Sequence, residues 1–199
     1  MIRNSIKALG LTAVGLAALL AGCASTPDIY TNQDPTANFG DYTTFGFQAK
    51  LGTDGDQYAS LASQYLKTAT VREMTARGYK ESANPDITVN FSVVTEEKIR
   101  TTQTPTAGGY YGYRGYGAWG GYGGYETRVT QYTEGTVNLD IIDVRKQQLV
   151  WEGVVVGKVT DEVRENLQAV CDEVVTEILA NYPYVAGNPT PQPLAKDKK

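Results

Sequence analysis

No histidine occurs in the 199 residues, and cysteine occurs only twice. The first absence removes the commonest general base and the commonest metal-ligating side chain. Positive charge is also scarce, with 18 Lys plus Arg against 22 Asp plus Glu. A chain with that balance lacks the cationic footprint that phosphate backbones require, which argues against nucleic acid as a partner. Long hydrophobic runs are missing too. The most apolar stretch, Ala8–Leu20, falls short of the roughly 20 residues that a helix needs to cross a bilayer.

That short stretch has a different use. Arg3 and Lys7 precede it as a positive n-region, and it ends in Leu20-Ala21-Gly22-Cys23. The order and spacing are those of an export signal, and the last four residues resemble the lipobox of bacterial lipoproteins. Such a site needs a thiol, because Cys23 receives a diacylglyceryl thioether before the chain is cut ahead of it. An ordinary secretory signal with an incidental cysteine would not require the three features to agree. Residues 1–22 are therefore expected to be a lipoprotein signal peptide, with 23–27 a lipidated tether. Several acyl chains anchor durably, at about 0.8 kcal/mol per buried methylene. Ala24 follows the cysteine, and by resemblance to enteric lipoproteins a residue other than Asp there directs the protein to the outer membrane, on its periplasmic face.

Processing removes two cations and no anions, leaving 18 − 2 = 16 Lys plus Arg against 22 Asp plus Glu, a net charge near −6. With Cys23 acylated, Cys171 has no partner for an intramolecular disulfide. The remaining length suits one domain, expected over 28–184, followed by a disordered Pro- and Lys-containing tail over 185–199.

Within the domain, Ile29–Thr31 and Tyr42–Gln48 read as strands, and Gln57–Arg77 as a helix stopped by Gly78. The apolar stripe of that helix is expected to be Leu61, Ala62, Tyr65, Leu66 and Ala69, with Val71 and Met74 off it. Asp86–Val93 alternates cleanly, as does Val137-x-Leu139-x-Ile141 within a strand over 128–143. A polar turn at Arg145–Gln148 leads to a strand over Leu149–Val159. A last helix places Val163, Leu167, Val170, Val174 and Ile178 on one stripe, with Asp161 and Glu162 favouring its N-terminal dipole. These elements predict an α+β fold: a two-layer sandwich with a mainly antiparallel sheet of four to five strands and two amphipathic helices on one face.

Three segments carry a family resemblance. Phe39-x-x-Tyr42-x-Thr44-Phe45, then Gly78-Tyr79 ahead of Asp86-Ile87, and above all Tyr132-x-Glu134-Gly135-Thr136-Val137 followed by Asp140, Asp143 and Val150-Trp151-x-Gly153, resemble the pattern of the domain-of-unknown-function 4136 lipoproteins. The resemblance spans roughly residues 28–183 and implies no catalytic residue.

The residues that could carry chemistry are few. Asp140 and Asp143 lie three apart on a strand, so they point to opposite faces and do not converge on one substrate. Asp86 reads as a strand-entry residue, Trp151 as core, and Cys171 as a buried, inert thiol with no histidine to activate it. Thr106–Tyr125 stands apart, with nine glycines and six tyrosines in twenty residues. Its aromatics and cation (Tyr110, Tyr111, Tyr113, Arg114, Tyr116, Trp119, Tyr122 and Tyr125) form either a tolerated surface loop or a binding loop. In the second reading, the ring faces stack on sugars, side chains or cations.

The expected function is thus a non-catalytic binding or docking module of the cell envelope, with no cofactor, no metal and no enzymatic activity. One alternative is a structural envelope protein that contacts peptidoglycan through the Gly/Tyr-rich loop. A third class is a hydrolase using carboxylates alone. The expected partners are the membrane, through the lipid anchor, and an envelope protein or peptidoglycan; the oligomeric state is left open.

Overall fold

The computed structural model describes residues 27–105 and 125–194. Residues 1–26, with the expected signal peptide and Cys23, residues 106–124 of the Gly/Tyr-rich segment, and residues 195–199 lie outside the described residues. Six strands form one sheet: β1 (Asp28–Gln33), β2 (Thr44–Phe47), β3 (Lys80–Glu81), β4 (Ile87–Pro105), β5 (Tyr125–Asp143) and β6 (Gln148–Lys158). Their order is β1-β6-β5-β4-β2-β3. The β1–β6, β6–β5 and β5–β4 pairs are antiparallel, whereas β2 runs parallel to both β3 and β4. Helices α1 (Leu61–Ala76), α2 (Asp161–Glu165) and α3 (Leu167–Ala180) complete the α+β fold. The sheet has one strand more than the four to five expected. The addition is β3, whose two residues are too few to show an alternation.

Both ends of α1 have local causes. Ser60 accepts from the Ser63 amide at its start. At its end Gly78 takes φ +86°, the Gly78 amide donates to the Thr75 carbonyl, and the Tyr79 amide donates to Met74. The buried stripe matches the expected one in part: Leu66 and Ala69 are buried and Ala62 and Tyr65 pack against the core. Ser63, Leu66, Ala69, Thr70 and Met74 face inward, while Leu61 is 60% exposed. Thr70 tolerates burial because its hydroxyl donates to the Leu66 carbonyl at 2.8 Å. The last helix is divided at Asn166; of its expected stripe Ile178 is buried and Val174 packs against the core, while Cys171, Val175 and Leu179 are buried in addition and Leu167 is exposed.

Both longer helices are linked side by side: Arg72 pairs with Asp172, and the Arg77 guanidinium donates to the Leu179 carbonyl. The sheet face bearing Ile87, Val89, Phe91, Leu139, Ile141, Trp151 and Val155 is buried beneath them. Trp151 lies edge-on to Tyr182 with ring centroids 5.1 Å apart, and Tyr184 stacks on Phe39 at 3.7 Å. The chain then continues along the domain. The Ala186 amide donates to the Arg77 carbonyl at 3.0 Å, and the Gly187 amide to Tyr42 at 2.9 Å. Residues 185–189, expected to begin a disordered tail, are therefore part of the packed unit.

Two carboxylates tie distant segments together. Asp86 accepts from the amides and hydroxyls of Thr43 and Thr44, which fixes β2 against the start of β4. Asp143, fully buried, accepts from the Tyr42 hydroxyl at 2.8 Å and from the Arg145 and Lys146 amides of the β5–β6 turn. Burial pushes both carboxyls up, but these donors outweigh it and the net shift is downward. A folded-state pKa below the unfolded value adds stability that is complete above the unfolded pKa, about 3.9 for Asp, and is lost as pH falls through the folded pKa. The domain is therefore expected to lose stability as the solution is acidified below about pH 4. Urea midpoints measured from pH 7 to pH 2.5 check this, and Asp143→Asn should flatten part of the acid limb.

Candidate functional site

Strands β4 and β5 each run for 19 residues, far beyond the rest of the sheet. β2 accompanies β4 only over Ile87–Val89, and β6 leaves β5 at Glu134. The remainder is a two-stranded arm in continuous register from Glu96↔Glu134 to Pro105↔Tyr125. The nine residue-to-residue steps from Tyr125 to Glu134 correspond to a length of about 31 Å at ~3.4 Å per step. Both edges of this ribbon are open, as are its two faces.

The two faces differ in chemistry. Alternation continues the core face outward through Val93, Thr95, Glu97, Ile99, Thr101 and Gln103 on β4, and through Val137, Thr133, Gln131, Val129, Thr127 and Tyr125 on β5. That face carries a single charge, Glu97, and exposes Ile99, Val129 and Tyr125 at 66%, 62% and 70%. The opposite face holds Glu96, Lys98, Arg100, Glu126, Arg128 and Glu134. There Lys98 bridges the directly opposed Glu96 and Glu134, at 2.7 and 3.6 Å, and Lys158 sits over the Tyr132 ring. Lys98 holds the Glu96 carboxyl below its ordinary value, by hydrogen bond first and charge second.

The arm and the start of β1 share one end of the sheet. Asp28 pairs with Val156, and Val156 with Thr136, two residues from where the arm departs. Pro27 lies beside Gly157. A shallow groove of about 760 Å³ opens between α1 and α2–α3, lined by Leu61, Tyr65, Asn166 and Leu167 among others.

The chain belongs to the DUF4136 family. Its family model, a domain of unknown function, matches residues 29–184. A search of curated proteins finds no match. Among solved structures, the chain is similar to a DUF4136 family protein from Bacteroides thetaiotaomicron, at 20% identity and a TM-score of 0.49, covering 81% of this chain and 98% of that one. A PDZ domain protein from Parabacteroides distasonis matches at 15% identity and a TM-score of 0.52, over 79% of this chain but only 35% of its own length. PelC from Paraburkholderia phytofirmans, solved as a dodecamer, matches at 12% identity and a TM-score of 0.40, covering 77% and 95%. The PDZ domain protein speaks to fold alone.

The motifs that carried the family resemblance turn out to be structural in this DUF4136 domain. Tyr42 and Asp143 meet in the core, Thr44 holds Asp86, and Trp151 and Gly153 pack against α3. Asp140 sits on the sheet face opposite Asp143; Asn90 donates to it at 3.3 Å, and burial pushes its carboxyl up. The two carboxylates do not converge. Cys171 is buried in α3, and burial pushes its thiol up. Among the described residues, no group of three or more His, Cys, Asp or Glu side chains could hold a metal ion. No helix among them is long and apolar enough to cross a membrane. Of the loop aromatics only Tyr125 is described, at the arm's outer end; Tyr110, Tyr111, Tyr113, Arg114, Tyr116, Trp119 and Tyr122 lie outside the described residues. Alternation ending at Val93 leaves out the outer part of β4, whereas the strand expected over 128–143 leaves out only Tyr125–Thr127 of β5. The signal lay in the unbroken, turn-free run Val94–Thr104, rich in Thr and β-branched residues, facing a second such run at Tyr125–Thr133.

Proposed function

We propose that this protein is a non-catalytic binding module of the cell envelope, tethered by lipidated Cys23 to the periplasmic face of the outer membrane, that offers its β4–β5 arm to another envelope component. The observation that carries this reading is that the arm and the start of β1, which the proposed tether precedes, lie at the same end of the sheet. From Cys23 to Asp28 the chain spans at most about 18 Å, at ~3.5 Å per residue. The arm is longer than that, so its outer end works at or along the membrane rather than across the periplasm. Its partner is then an outer-membrane protein, a neighbouring lipoprotein or the nearest peptidoglycan.

The nearly uncharged arm face supports binding over a merely solvated hairpin, since an isolated two-stranded ribbon is marginal in water. A structural role through glycan contact is the second reading, favoured by the exposed Tyr125 ring that begins the aromatic-rich tip. Site-specific crosslinking in cells from Ile99 tests the proposal, with Gly108–Gly124 replaced by a short turn as the control. That shortening should leave the melting midpoint within the ~2–4 °C that represents 1 kcal/mol at this domain size.

A further inference from the structure

The two open edges of the arm are not equivalent toward a second copy of this chain. When two identical strands pair edge to edge about a two-fold axis normal to the sheet, residues i and j face each other with i + j fixed at twice the central residue. On the β4 edge, every register centred from Glu96 to Arg100 sets like charges opposite one another. Centring on Glu96, Glu97, Lys98 or Arg100 opposes that residue to itself, and centring on Ile99 opposes Lys98 to Arg100. Like charges directly opposite are destabilising, so these registers are guarded against self-pairing; a register centred on Thr101 escapes the clash, but it sets Arg100 opposite Thr102 and offers no opposite-charge pair.

The β5 edge behaves otherwise. Centring on Thr127 sets Glu126 opposite Arg128 twice, Tyr125 opposite Val129 twice, and Thr127 opposite its own copy. Each of these is a favourable cross-strand combination: opposite charges, aromatic with β-branched, and Thr with Thr. Centring one residue either way opposes Glu126 to itself or Arg128 to itself. The backbone agrees with the favoured register. The Thr133 carbonyl accepts from Val159 at 2.9 Å and so points away from β4. By alternation the Tyr125, Thr127 and Val129 amides and carbonyls point to the same open side. These are the groups that a two-fold at Thr127 requires for hydrogen-bonded pairs, with Glu126 and Arg128 in the closer non-hydrogen-bonded positions.

We infer that the β5 edge of the arm, over Tyr125–Val129, is a homodimerisation surface that joins two copies of this chain antiparallel into a four-stranded ribbon centred on Thr127. The inference stands independently of the lipid anchor and of any envelope partner. The two-fold places the two domain bodies at opposite ends of the joined arms, clear of one another, and β6 closes the edge from Glu134 onward.

Sedimentation of the full mature chain tests it in three arms. The parent protein should form a concentration-dependent dimer. Arg128→Glu, which opposes two acidic pairs, should weaken that dimer by about tenfold or more, and Glu126→Arg combined with Arg128→Glu should restore it. Because all these side chains are exposed, the variants retain the fold, which a thermal melt verifies. Thr127→Cys should form a covalent dimer under mild oxidation, because the Cα separation of a hydrogen-bonded pair, about 5.5 Å, suits a disulfide. Thr101→Cys, across the ribbon on β4, and the parent chain should not. A monomeric parent, an unweakened Arg128→Glu variant, failure of the charge swap to restore pairing, or equal crosslinking at Thr101 would each overturn the proposal.

Discussion

Trp151→Ala is expected to destabilise the domain by about 3–5 kcal/mol, the cost of removing a large buried aromatic. Trp151 is 2% exposed and edge-on to Tyr182, which is hydrogen-bonded to Tyr79. Removing the indole opens a cavity where β6, the C-terminal segment and α3 meet. Gly153 belongs to the same site. A Cβ there would lie 2.4 Å from the Ile178 methyl carbon and 2.6 Å from the Trp151 ring, so Gly153→Ala forces α3 or the indole to move. Overpacking of this kind costs about 1–3 kcal/mol. Since the indole is one of the clashing groups, the double variant should lose less than the sum of the two single losses. Urea denaturation of the three variants checks both claims. A Trp151→Ala loss below 1 kcal/mol, or strict additivity, contradicts the packing described.

The second large effect concerns Cys23. The signal-like N-terminus and the lipobox resemblance lead us to expect that Cys23→Ser abolishes palmitate labelling entirely. The variant should accumulate as an unprocessed precursor, because thioether formation needs the thiol and signal cleavage waits on it. Fractionation with metabolic lipid labelling reads both outcomes. A Cys23→Ser protein recovered at mature size and still labelled excludes this residue as the anchor.

How much of this was legible in advance follows from where the physics is local. The strands around Val89 and Leu139 announce themselves because each alternation is set by one buried face. Gly78 ends α1 because the αL conformation and two capping bonds are encoded within the six residues Met74–Tyr79. The opposite-face placement of Asp140 and Asp143 follows from strand geometry alone.

Other features depend on hydrogen bonds that hydropathy does not register, or on partners far along the chain. Ser63 and Thr70 face the core of α1 because their hydroxyls find bonds there, to Thr53 or Ser60 and to Leu66, and hydropathy misplaces such residues. A register shift between Ile141 and Ile142 lets Val150 and Trp151, adjacent in sequence, both be buried. The packing of residues 185–189 rests on carbonyls of Arg77 and Tyr42 more than a hundred residues earlier. The outer part of β4, Val94–Pro105, is hidden for a similar reason: it has no buried face, so it reads as loop until it is set in register against β5.

The reading of the arm as the working surface of a membrane-tethered module rests most directly on what it touches in the cell. A photo-crosslinking residue placed at Ile99, on the nearly uncharged face, should give a discrete adduct of a mass different from the self-dimer. The same residue at exposed Thr75 on α1 should give none, and shortening Gly108–Gly124 should reduce the Ile99 adduct. Ile99 and Thr75 probes yielding the same pattern, or an Ile99 adduct unaffected by removal of the Cys23 thiol, would contradict it.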